Sequence, residues 1–236
     1  MLFVLPPLSG HLLPALSLAA ELARRGHLVA WAGPEPLLRA VLGSEALIMP
    51  TGSRLFREQA LGGTAAIRTL WQDFVVPYTR FTLPKVRQAV RDWRPDLVLV
   101  DQHSPAGALA AQRYGIPWAG FAPSSMELGR PPLDEPDLEE WQRDLLRDLW
   151  RRAGFDAADF ADPRFSARLI VACSAPVLLG VVPDGTAPGS LPSTPLPAQC
   201  EVVGPLLTDR PTTVGFPWEL LREDRRRVLV TLGTLS

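Results

Sequence analysis

Cysteine is scarce in this 236-residue chain: only Cys173 and Cys200 occur, with no Cys-x-x-Cys pair and no Cys/His ligand spacing. That excludes a disulfide scaffold and gives no sign of a zinc site. A surplus of positive charge is also missing. Formal net charge is -1, with 21% charged and 47% hydrophobic residues, which suits a globular protein and argues against a nucleic-acid partner. Long apolar runs are absent too. Met1 to Ala20 is apolar, but no basic residue precedes it and Pro6, Pro7, Gly10, His11 and Pro14 interrupt it, so it reads neither as a signal peptide nor as a membrane span. A cytoplasmic protein is expected, resting on a membrane surface only if its ligand is lipid-like. No Gly-x-Gly-x-x-Gly follows the first apolar run and no Gly-x-x-x-x-Gly-Lys occurs, so the usual phosphate cradles are missing. No internal repeat is visible.

What the sequence does contain is alternation. Leu2 to Leu5 predicts a strand, the segment from Pro6 to Gly10 a loop, and the next stretch a helix with Pro14 in its first turn and Arg24, Arg25 and Gly26 at its end. Strands are then predicted at Leu28 to Ala32, Ala46 to Met49, Asp96 to Asp101, Pro117 to Ala122, Arg168 to Ser174, Val177 to Val182 and Glu201 to Val203. Between them fall a helix at Pro36 to Leu42 and a helical region from Gln59 to Trp93 broken at Pro77 and Pro84. A helix at Ala106 to Tyr114 follows, capped by Ser104 and closed by Gly115, and then an amphipathic helix within Pro131 to Arg152. Strands alternating with helices predict an α/β fold, a Rossmann-like open parallel sheet flanked by helices. Val228 to Thr234 reads as the start of a further strand. A buried parallel strand with no crossover helix lacks packing partners, so a second domain is expected to be missing.

In open α/β sheets, ligands bind beyond the carboxyl ends of strands. His11 follows the first predicted strand and Asp101 ends the central one, so both are expected at one crevice. A neutral imidazole there takes a proton from a hydroxyl, and a carboxylate on its other nitrogen fixes the tautomer. His103 has no evident task as a second base and reads as structural. Phe56, Trp71, Phe74, Tyr78 and Phe81 are candidates for an apolar ligand wall, and the same residues would serve helix packing equally well.

Pro7-Leu8-Ser9-Gly10-His11, then Pro14-Ala15-Leu16 and Leu22 to Val29, with Arg94 to Asp101, Gly115-Ile116-Pro117, Val202-Val203-Gly204-Pro205 and Val228 to Thr234 in the same order, resemble family 1 glycosyltransferases of GT-B architecture. The resemblance is to bacterial natural-product and carotenoid enzymes, and it covers nearly the whole chain. It implies an acceptor-binding domain over 1-207, a linker over 208-227 and the first strand of a donor-binding domain over 228-236. His11 would be the general base and Asp101 its partner in an inverting displacement, with no metal, cofactor or covalent intermediate. Gly10 would lie beside the donor phosphates, with Gly233 and Thr234 on the donor side. The family's nucleotide-binding half, with its His-x-Gly and Asp-Gln donor motifs, is expected to be absent, which implies that this chain alone does not transfer sugar. The implied partners are a hydrophobic hydroxylated small molecule as acceptor and, only with a donor domain, a nucleotide sugar. Self-association through an exposed apolar face and a mobile tail after about Thr208 are further expectations. A non-catalytic small-molecule-binding or transferase-accessory module is the alternative function; a nucleotide-sugar epimerase finds no support in the sequence.

Overall fold

The computed structural model describes residues 1-53, 62-124, 127-128, 137-179, 196-207, 218-221, 224, 226 and 228. Seven parallel strands form one sheet: β1 (Leu2–Val4), β2 (Ala30–Gly33), β3 (Ile48–Pro50), β4 (Val98–Asp101), β5 (Trp118–Ala122), β6 (Ile170–Ala172) and β7 (Cys200–Val202), in the order β3-β2-β1-β4-β5-β6-β7. The order runs outward from β1 on one side and from β4 on the other. The topological switch therefore falls between β1 and β4, which pair with Leu2 opposite Val98 and Val4 opposite Val100.

Pleating sorts the strand residues between two helix layers. Phe3, Trp31, Leu99 and Phe121 point to the face covered by α1 (Ser9–Arg24) and α2 (Glu35–Leu42), where they meet Leu12, Ala15, Ala19 and Leu38. Leu2, Val4, Ala30, Ala32, Val98 and Val100 point to the opposite face, against α4 (Val76–Trp93) and α5 (Ala106–Tyr114). Gly107 lets α5 approach closely: a Cβ there would stand 2.8 Å from Val100 Cγ2 and 3.0 Å from Val4 Cβ. A further cluster joins Trp71, Phe74 and Tyr78 to Leu146, Leu149 and Trp150 of α6 (Leu138–Arg152).

Several expectations need correction. The first helix begins at Ser9, not near Pro14: Leu8 supplies the extended cap residue, and its carbonyl accepts the N–H groups of His11 and Leu12. Pro14 thus lies inside the helix. Neither Pro77 nor Pro84 breaks the long helical region. An α-helix, α3 (Gly63–Thr69), runs into a π-helical stretch over Leu70–Val75 and then into α4. Pro77 falls in the first turn of α4, where loss of its N–H costs least, and Pro84 is accommodated in its interior. Ser104 does not cap α5 with its side chain. Its hydroxyl is buried with no partner among the described residues, and its carbonyl accepts Gly107 N–H instead. Pro176–Leu179 forms a 3-10 turn where a strand is expected, as suits a segment opening with proline. No helix among the described residues is long and apolar enough to cross a membrane.

Candidate functional site

Pleating also fixes where Asp101 points. It shares the parity of Leu99 and so faces the α1 side of the sheet, while the early start of α1 places His11 in that helix's first turn. The two meet beside the topological switch. His11 Nδ1 lies 2.8 Å from Asp101 Oδ2 and 3.0 Å from Oδ1. Asp101 is fully buried and the His11 side chain is 11% exposed, so the imidazole is the member of the pair that reaches toward solvent. A carboxylate only accepts hydrogen bonds, so in the neutral imidazole this pairing puts the proton on Nδ1 and leaves the lone pair of Nε2 for a ligand. Asp101 is held in turn by the backbone N–H of His103, which donates to Oδ1 at 2.8 Å.

His103, read from the sequence as structural, lies directly beside the pair. Its buried ring lies 4.7 Å from that of His11 at an interplanar angle of 37°. Behind it, Glu127 accepts from Trp71 Nε1 at 3.0 Å and from Arg164 Nη1 at 3.1 Å. Burial raises the Glu127 carboxyl, but His103, Arg164 and Trp71 outweigh it and hold the group below the usual carboxylate range. Spacing gave no signal for Glu127 or Arg164, since both lie in irregular segments. His11, Asp101 and His103 offer possible metal-ligand atoms within 4.8 Å of one another. His11 and Asp101, however, already satisfy each other as a hydrogen-bonded pair.

Other predicted site residues divide into three groups. Gly10 is exposed at the first turn of α1, with nothing within 4 Å of the position a Cβ would occupy, and no side chain caps that helix end. Trp71, Phe74 and Tyr78 are at most 1% exposed. Phe74 and Tyr78 stack at 5.5 Å, and the Tyr78 hydroxyl donates to Leu5 O at 3.2 Å. They are core residues beneath the carboxyl edge of the sheet. Phe81 is half exposed against Gly52 in the loop after β3. Phe56, Gly233 and Thr234 lie outside the described residues. Two cavities beside α4, of about 600 and 530 Å³, include neither His11 nor Asp101.

Comparison with known proteins finds similarity to glycosyltransferases in sequence and in fold. No family model matches the chain. It is 31% identical over 117 residues to the NDP-glycosyltransferase YjiC of Bacillus subtilis (strain 168), an alignment covering 47% of this chain and 28% of that protein. With the demethyllactenocin mycarosyltransferase of Streptomyces fradiae it shares 32% identity over 134 residues, 52% of this chain and 29% of that protein. Among solved structures, the glycotransferase of kitacinnamycin superposes with a TM-score of 0.59 at 22% identity, covering 91% of this chain and 54% of that one. The glycosyltransferase SnogD from Streptomyces nogalater gives 0.58 at 20% identity, covering 95% and 56%. The chain thus spans little more than half of these structures, and its alignments cover under a third of the curated relatives. In sequence and in fold it is similar to GT-B glycosyltransferases of bacteria, over about half of their architecture.

Proposed function

We propose that this chain is the acceptor-binding half of an inverting glycosyltransferase, with His11 as the general base. The observation that carries the proposal is the buried Asp101 carboxylate on His11 Nδ1, 2.8 Å away, which leaves Nε2 of the partly exposed imidazole as the proton acceptor. In the reaction, the acceptor hydroxyl oxygen forms a bond to the anomeric carbon as the bond from that carbon to the nucleoside diphosphate breaks. The hydroxyl proton moves to His11 Nε2, and Asp101 stabilises the resulting imidazolium. The nucleotide-activated donor is inferred from the similarity to the Bacillus subtilis NDP-glycosyltransferase.

The N-terminal end of α1 suits the departing diphosphate: Gly10 adds no side chain and the first turn carries no acidic residue. An anion is favoured there by the helix dipole and the unpaired N–H groups of the first turn. Gly233 and Thr234 are assigned to the donor side, and Phe56 and Phe81 to the apolar acceptor wall. Trp71, Phe74 and Tyr78 support that wall from behind. The acceptor is read as a hydrophobic hydroxylated small molecule. The proposed boundaries are an acceptor domain over 1-207, a linker over 208-227 and a donor-domain strand over 228-236, with transfer requiring a nucleotide-sugar-binding half.

The test is transfer from nucleotide sugars to a panel of hydroxylated polyketides and carotenoids, by this chain with and without a separately expressed donor-binding half. Activity is expected with the donor half and falls at least about 100-fold in His11→Ala, the lower range for loss of a general base. Acceptor binding without transfer in any pairing would instead identify a non-catalytic binding module.

A further inference from the structure

The His11–Asp101 pair leaves one degree of freedom open. Nδ1 is shared between two carboxylate oxygens at 2.8 and 3.0 Å, so the bond fixes the position of that nitrogen better than the tilt of the ring. Something else must hold the imidazole plane if Nε2 is to face a ligand consistently, because a base works only within hydrogen-bond reach of its proton.

His103 occupies the required place. Its ring packs on that of His11 at 4.7 Å, and its backbone N–H holds Asp101. Yet the His103 ring is itself oddly placed: it is buried, and neither ring nitrogen has a hydrogen-bond partner among the described residues. Leaving such a nitrogen unpaired is costly, so its persistence calls for a reason. Glu127 Oε1 stands 3.5 Å from His103 Nε2. That carboxylate is fixed firmly. Trp71 Nε1 donates to Oε1, Arg164 Nη1 donates to Oε2, and Asp162 secures Arg164 from the other side at 2.8 Å. Trp71 also meets the His103 ring edge-on, with centroids 6.2 Å apart. A connected set of polar side chains thus runs from Asp162 through Arg164 and Glu127 to the back of the His11 ring.

We propose that Glu127 is a positioning residue for the His11–Asp101 pair, acting through His103. The Glu127 carboxylate attracts the Nε2 edge of His103 and sets the plane of its ring. That ring backs His11, keeping it in one orientation with the proton on Nδ1 toward Asp101 and the lone pair of Nε2 outward. This deepens the reading of His11 as a base and rests on it.

The chain has three histidines, so imidazole nitrogen NMR on the uniformly labelled full chain resolves them, with His27→Asn as the assignment control. Wild type is expected to show His11 in a single tautomer protonated on Nδ1. In Glu127→Gln, which keeps the shape but removes the charge, the His11 tautomer ratio shifts roughly three- to tenfold, the scale of one net hydrogen bond. His103→Leu, which removes the backing ring, gives a shift of the same sign, while His27 stays fixed in both. If one variant fails to fold, the other decides. His11 resonances that superpose on wild type in a folded variant overturn the proposal. The readout needs no sugar transfer, so an inactive chain leaves this test standing. An unmoved His11 in an active enzyme refutes the positioning role and keeps the base.

Discussion

Cutting the buried Glu127–Arg164 pair should be among the more damaging single changes available outside the apolar core. Their side chains are 1% and 3% exposed and meet at 3.1 Å. Removing one member of such a pair leaves a buried charge uncompensated, typically at about 3–5 kcal/mol. Glu127→Ala belongs near the lower end, about 3 kcal/mol, because Arg164 keeps Asp162. Arg164→Met belongs higher, about 4 kcal/mol, since Glu127 then keeps only Trp71 and the more distant His103. The double variant leaves neither charge stranded, so its cost falls short of the sum by about 2 kcal/mol. Urea unfolding at pH 7, followed by far-UV circular dichroism, measures all three. A Glu127→Ala cost under about 1 kcal/mol, or a double variant additive to within about 0.5 kcal/mol, would refute the reasoning. The pH dependence supplies a second check. Because the folded-state carboxyl lies below its ordinary range, its stabilisation is fully present above that range and fades as pH falls through the folded-state value. The gap between wild type and Glu127→Ala should therefore narrow in acid.

Two other outcomes follow from packing and burial. Gly107→Val forces a branched side chain against Val100 and Val4 and should cost about 1–3 kcal/mol, read as a fall in Tm; Gly10→Ala, with nothing within 4 Å, should leave Tm unchanged or raise it. Burial, aided by Asp101, pushes the Cys173 thiol up to about 12. Alkylation at pH 8 followed by mass spectrometry should therefore label the less buried Cys200 at least about tenfold faster in the folded chain, with the difference vanishing in denaturant.

The parts of this molecule that were legible in sequence are those with periodicity or a strand end to announce them. Asp96 to Asp101 showed an apolar run with a carboxylate at its exit, and His11 followed another apolar run, so their convergence came from the logic of parallel sheets alone. Ala106 to Tyr114 was legible from its spacing and from Gly115, which takes the left-handed conformation at φ +66. Prolines misled, because a proline's effect depends on where the turn before it begins. Pro14 suggested a helix start that Leu8 had already provided, and Pro77 sits where a π-helical stretch hands over to an α-helix. Glu127 and Arg164 had no local pattern. They are 37 residues apart, in irregular segments, and acquire meaning only when a buried tryptophan and a second imidazole close around them.

The switch between β1 and β4 also bears on when the site comes into existence. His11 belongs to the half of the sheet that grows toward β3, Asp101 to the half that grows toward β7, and 90 residues separate them. Either half folded alone would hold an unpaired histidine or a stranded carboxylate. The His11–Asp101 pair is thus a product of long-range assembly, formed only once the two halves align at their seam, and contacts of such sequence separation are slow to form. The His11–Asp101 hydrogen bond therefore reports that the seam has closed in register.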